Sequence, residues 1–146
     1  MDLTQEEKNS LRDLLAKLRE IGEDFARAYL SRLRLLAPRH LRAFTSAIDS
    51  GELLLSSLAE GIALIDEPER LLAKPLLGER YLPKDGTIEN YDLKIACAVW
   101  AIEHCLGDAF TPQARSGLGK LSQIRRAAFL SRLATPEPST VTANIA

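Results

Sequence analysis

Apolar positions recur along most of this chain at the three-and-four spacing of a helix face. Leu11, Leu14, Leu15, Leu18 and Ile21 form the first stripe, which places their side chains on one side of a helix with 3.6 residues per turn. Thr4 and Glu7 stand just before it as a capping-box pair. The hydroxyl can accept from a free backbone N–H, and the carboxylate three residues on can reach back. Gly22 marks a break or a close-contact point, after which Phe25, Tyr29 and Leu33 continue at four-residue steps. Pro38 predicts a corner, because proline disfavours helical geometry in the residue before it. A polar segment from Thr45 to Gly51 leads into a further stripe of Leu54, Leu58, Ile62 and Ile65. Pro68, after Asp66 and Glu67, predicts the first turn of another helix, which Pro75 limits.

Pro83, Asp85 and Gly86 predict a loop. Ile95, Val99, Ile102 and Leu106 define the next helical face, ended by Gly107. Thr111 and Pro112 are a strong helix start, a cap residue followed by proline at the first position. Leu118, Leu121, Ile124, Ala128 and Phe129 follow on that helix. The last residues are polar and contain Pro136 and Pro138, which reads as a loose tail. No alternating strand pattern competes. The expectation is an all-α domain of six to eight helices over residues 1–133, with a flexible C-terminal tail over 134–146.

Length and composition fit that picture. The 146 residues are enough for one domain. Apolar residues make up 46% and charged residues 27%, which is ordinary globular usage and argues against disorder. The net charge of -1 speaks against a nucleic-acid binder. The charge is uneven, though. Residues 51–110 carry 5 basic and 11 acidic side chains, and residues 111–146 carry 5 and 1. That asymmetry could favour self-association, and solvated helix faces explain it equally well. No run approaches the roughly 18 apolar residues of a spanning helix. The first 20 residues mix charge with leucine, unlike a secretory signal. A cytoplasmic protein without membrane contact is expected.

Candidate chemistry is sparse. Cys97 and Cys105 are the only cysteines. On one helix they would lie about 12 Å apart along its axis, too far for an internal disulfide. They fit reduced, small apolar core or interface residues. No CxxC, HExxH, glycine-rich phosphate loop or nucleophile elbow appears. No catalytic dyad stands out, so no enzyme is expected.

Several stretches resemble the globin superfamily in order and spacing. Asn90-Tyr91-Asp92-Leu93, through Cys97 and Trp100 to Leu106-Gly107-Asp108-Ala109-Phe110-Thr111-Pro112, looks like a globin G helix, GH corner and H-helix start. Leu3-Thr4 opens an A-like helix. Ala28-Tyr29, then Ala37-Pro38 and Phe44, resemble the bacterial B–C–CD pattern. Leu77-Gly78-Glu79-Arg80-Tyr81 looks like the motif that closes the F helix. The resemblance implies a globin-like fold. It also implies a pocket in which haem is held by a proximal histidine and packed under a phenylalanine, here Phe44.

The same resemblance shows what is missing. Tyr81 stands at the place of the proximal histidine. His40 and His104, the only histidines, fall elsewhere. Ser50 lies nearest the distal position and cannot reach as far as Gln or His. Lys94 occupies a position that packs apolar side chains against the porphyrin, where an unpaired buried lysine would cost several kcal/mol. Gly86 replaces a β-branched brace, and Pro83 shortens the F helix. The favoured expectation is a degenerate, haemless member without a cofactor, similar to sensor or regulatory domains of that kind. Some of those hold a fatty acid and an anion in the emptied pocket. Arg80 and Lys94 would be the cations for such a ligand.

Two alternatives stay open. Haem b could be ligated by Tyr81 as a tyrosinate, with Arg80 next to it in sequence. Alternatively the chain is a pure interaction module for a signalling protein. Globin-type sensors dimerise through their last two long helices. Here those would carry Cys97, Trp100, His104, Cys105 and the basic residues Arg115, Lys120, Arg125 and Arg126, so a homodimer is expected. The vacated pocket is expected either to be filled by Phe44, Leu54, Leu58, Leu77, Tyr81 and Leu93, or to hold an apolar ligand with a polar head.

Overall fold

A computed structural model describes residues 2–36, 38, 47–67, 69–70 and 88–134, without the side chains of residues 47–51, 53, 90 and 132–134. The predicted capping box opens α1 (Gln5–Glu20). The Glu7 N–H donates to Thr4 Oγ1 at 3.1 Å, and the Thr4 N–H donates to Glu7 Oε1 at 2.8 Å. α1 ends at Ile21, and α2 (Gly22–Leu36) starts at once. α3 (Ala47–Ala63) carries the third stripe, and α4 (Ile88–Leu106) the fourth. Gly107 then takes φ +52°, a left-handed conformation that glycine adopts without strain. It opens a 3-10 turn, Gly107–Ala109. α5 (Pro112–Ala134) begins as the Thr-Pro pair predicts, with the Ala114 N–H donating to Thr111 Oγ1 at 3.1 Å.

The stripes meet in one core. Leu11, Leu14, Leu18, Phe25, Leu33, Ile102 and Leu121 are the large side chains sealed most completely in it, with Cys97 beside them. Leu58, Ile62 and Ile65 of the third stripe are buried there too, and Leu54 and Ile124 pack against it. α5 runs antiparallel to α4. Arg126 pairs with Asp92, and Arg115 with Glu103, at the same sequence separation on both helices. α2 packs on both α3 and α4, and α1 packs on α5. Lys8 and Arg12 of α1 reach Asp66 in the turn after α3.

The α1–α5 crossing is close because Gly117 has no side chain. A Cβ there would sit 3.1 Å from the Glu7 carbonyl oxygen and 3.1 Å from Leu11 Cγ. Glu7 is buried at that crossing, 5% exposed. Lys120 Nζ donates to its Oε1 at 2.7 Å, and Ser116 Oγ donates to its Oε2 at 2.5 Å. Those bonds, with that from the Thr4 N–H, hold the Glu7 pKa down at about 2 against an ordinary 4.5.

The expected count of six to eight helices is corrected. The described residues form five α-helices and one 3-10 turn, all-α without a strand, and this count does not match a globin. The expected globin-like fold is therefore not upheld; among the described residues the fold is all-α with five α-helices. The difference lies between α3 and α4. After Ala63 the chain breaks into a turn over residues 64–66, and the helices expected after Pro68 and before Pro83 fall largely outside the described residues. Loop signals at Pro83, Asp85 and Gly86, and the tail after Ala134, also lie outside them.

Two predictions test this core. Gly119 is exposed on α5 with nothing near its Cβ position, so Gly119→Ala should stabilise by about 0.5–1 kcal/mol through helix propensity. Gly117→Val should instead destabilise by about 1–3 kcal/mol, because its methyls meet the α1 backbone. Urea midpoints of both variants check the opposite signs. The Glu7 carboxylate has a depressed folded pKa, so its contribution is present above about pH 4.5 and is lost as pH falls towards 2. Glu7→Gln should flatten the stability profile over that window in urea titrations at successive pH values. An unchanged acid limb would count against the network.

Candidate functional site

α3, α4 and α5 approach one another less closely than the pairs α1–α5, α2–α3 and α2–α4. A cleft opens where they diverge. Leu54 and Leu58 of α3, Ile95, Val99 and Ile102 of α4, and Leu118 and Leu121 of α5 line it, with Phe25 of α2. Its enclosed space is about 50 Å3, and about 500 Å3 when its open mouth is counted. Because α4 and α5 are antiparallel, Tyr91, Ser122 and Arg125 gather at one end of the lining, and Ile102 and Leu118 at the other. Tyr91 also stacks on Phe129, with ring centroids 5.1 Å apart.

Among the described residues of that lining, Arg125 is the one that carries a charge. Its Nη1 donates to the Ser57 carbonyl at 3.2 Å and its Nη2 to the Ser57 hydroxyl. Gly61, one turn further along α3, makes room for it: a Cβ there would lie 3.3 Å from Arg125 Nη1 and 3.4 Å from Leu121. Arg125 therefore lies across α3 between Ser57 and Gly61 and ties α3 to α5. Hydrogen bonds to a charged donor contribute about 1.5–3 kcal/mol each.

The structure places the expected site residues differently. Tyr81, Arg80 and Phe44 lie outside the described residues, as do His40, Leu77 and Gly86. Ser50 sits in the first turn of α3, with its side chain outside the description. Lys94 is half-buried on α4, and desolvation pushes its pKa down. It is not among the residues of the cleft. Ser57, Ser122 and Arg125 were missed as site residues. The signal was the three-residue step from Ser122 to Arg125, one turn beyond Leu118 and Leu121, and the small pair Ser57 and Gly61 inside an apolar stripe.

The basic residues expected to form a docking face have partners within the chain. Arg115 pairs with Glu103, Lys120 with Glu7, and Arg126 grips Asp92 at 2.9 and 3.0 Å. The acidic middle and the basic end of the sequence thus meet inside one chain at the Arg115–Glu103 and Arg126–Asp92 pairs. Trp100 is engaged as well, stacked on His104 at 4.9 Å with the Arg32 guanidinium 5.0 Å from its centroid.

Cys97 is buried against α2, where burial pushes its thiol pKa up. Tyr29, also raised by burial and by Cys97, lies beside it. The Cys105 thiol, 3.8 Å from the Asp24 carbonyl oxygen, is raised by burial and by Asp24. Cys105 borders a shallow open groove of about 390 Å3 with Ile21, Asp24, Arg27, Ala28 and His104. Among the described residues no group of three or more His, Cys, Asp or Glu side chains is placed to hold a metal ion. No helix among them is long and apolar enough to cross a membrane. No family model and no curated protein matches this chain.

The two thiols yield a prediction. With Cys97 sealed and both thiols raised, native protein should release at most one equivalent from Ellman's reagent at pH 7.5, slowly and from Cys105. Denatured protein should release two. Rapid reaction of Cys97 in native protein would contradict this packing of α2 on α4.

Proposed function

We propose that this chain is a non-catalytic regulatory domain, a sensor that holds a small apolar ligand between α3, α4 and α5. The observation that carries the reading is the cleft itself. It is lined by aliphatic side chains, it is polar at one end, and it lies where the helices diverge. Sites for small molecules have this character, a mostly apolar wall with a few polar groups that fix orientation. A ligand that fills the space would draw the three helices together and change how α5 presents its exposed side.

Haem is not part of the proposal. Tyr81 and Phe44, the residues that would hold it, lie outside the described residues, and the cleft between α3, α4 and α5, about 50 Å3, is far smaller than the several hundred Å3 that burying such a group takes. The engagement of Arg115, Lys120, Arg126 and Trp100 within the chain favours the ligand reading over an interaction module built on a basic face.

The test uses 1-hexanol followed by methyl NMR. Shifts should concentrate on Leu54, Leu58, Ile95, Val99 and Leu118, and thermal stability should rise with alcohol concentration by mass action. Ala98→Leu, which fills the cleft from α4, should abolish both effects. Shifts scattered over the surface, or persisting unchanged in Ala98→Leu, would overturn the reading.

A further inference from the structure

α2 carries an exposed knob and an open groove on one line of its surface. Leu35, in its last turn, is 70% exposed, the most of any large apolar side chain among the described residues. Asp24 lies three turns back, within about 20° of the same direction around the helix. Asp24 lines the groove of about 390 Å3 at the other end of α2, with Ile21, Ala28, His104 and Cys105. On the line between knob and groove stand Ala28 and Ser31, both small.

The charges of α2 divide the same way. Its carboxylates, Glu23 and Asp24, are in the first turn, and Arg34 is in the last. Glu23 holds Arg27 at 2.5 Å, and Arg32 lies over the Trp100 ring. Asp24 and Arg34 are exposed and have no ion-pair partner among the described residues.

We propose that two copies of this chain associate through α2, with Leu35 of each copy seated in the groove of the other. The two-fold axis would pass near Ala28 and Ser31 and set the two α2 helices antiparallel. Leu35 and Asp24 are centred on the same point of the helix as Ser31 and Ala28, so one axis relates both pairs at once. It also brings Arg34 of each copy beside Asp24 of the other. A single operation thus fills both grooves, covers both exposed leucines and pairs the free charges. A patch complementary to itself in this way fits a second copy of the chain, because an isologous interface uses the same surface twice. Ala28 and Ser31 at the axis allow a close approach, since the side chains at a crossing set the distance between helices. The cleft between α3, α4 and α5 plays no part in this contact. A patch about one helix wide lies at the small end of specific interfaces, so the association is weak.

Sedimentation equilibrium of the full chain should show a monomer–dimer equilibrium with a Kd on the order of 100 μM. Leu35→Glu should weaken it about ten-fold or more. Arg34→Glu and Asp24→Arg should each weaken it several-fold alone, and an equimolar mixture of the two should restore it, because every mixed contact then joins opposite charges. All three positions are exposed, so the fold of the monomer should stay intact, which circular dichroism checks. Leu35→Cys gives a covalent readout. Under glutathione disulfide it should cross-link to Cys105 of a second copy, and adding Cys105→Ser should remove the cross-link. A chain that stays monomeric at about 1 mM overturns the proposal. So does an association that survives Leu35→Glu, or a mixture no stronger than its separate variants.

Discussion

The close crossing of α1 over α5 at Gly117 sets the rest of the arrangement. A helix pair can approach this far only where one partner has no side chain, and here the Glu7 carbonyl and Leu11 occupy the space a Cβ would need. The same crossing buries the Glu7 carboxylate. Burial of a charge is costly unless it is paired and hydrogen-bonded. Lys120, Ser116 and the Thr4 backbone supply those partners. The capping box of α1 and the docking of α5 are therefore one network: a change at Glu7 reaches both the helix start and the crossing.

The cleft follows from where the other helices must go. α5 is fixed on α1, while α2 takes the close contacts with α3 and α4. α3, α4 and α5 are then left to meet one another at their edges, and the space between them is filled only in part. Arg125 bridges that space to α3 with a long side chain that ends in a planar, charged guanidinium. A packed aliphatic contact would have sealed it. An interior normally closes to crystal-like density, so a cleft kept apart by a guanidinium across a glycine is a place where packing has yielded to another requirement.

Charge does similar work on the other side of α5. Asp92 and Glu103 on α4 face Arg126 and Arg115 on α5, and these two rungs hold the antiparallel register. Both rungs are exposed, where single ion pairs contribute little. Their effect is on alignment rather than on affinity, since a shifted register would set arginines against apolar neighbours. The uneven distribution of charge along the sequence is met at these positions within the fold.

What the amino-acid order determined by itself was local. The stripes at Leu11–Leu18 and Phe25–Leu33 became buried faces, and the caps at Thr4 and Thr111 formed as their spacing requires. Gly107 ended α4 for the reason glycine usually ends a helix. These features depend on neighbours within one or two turns, so periodicity and cap chemistry suffice to find them. The number and arrangement of helices did not follow. Motifs such as Leu106-Gly107 and Thr111-Pro112 encode a helix end and a helix start, and many all-α folds use the same pair. The site was less legible still. Arg125 and Arg126 are adjacent and look alike in the sequence, yet a rotation of about 100° between them on the helix turns one onto Ser57 and the other onto Asp92. Only the placement of α3 and α4 on either side of α5 decided which arginine entered the cleft, because that choice depends on residues tens of positions away in the chain.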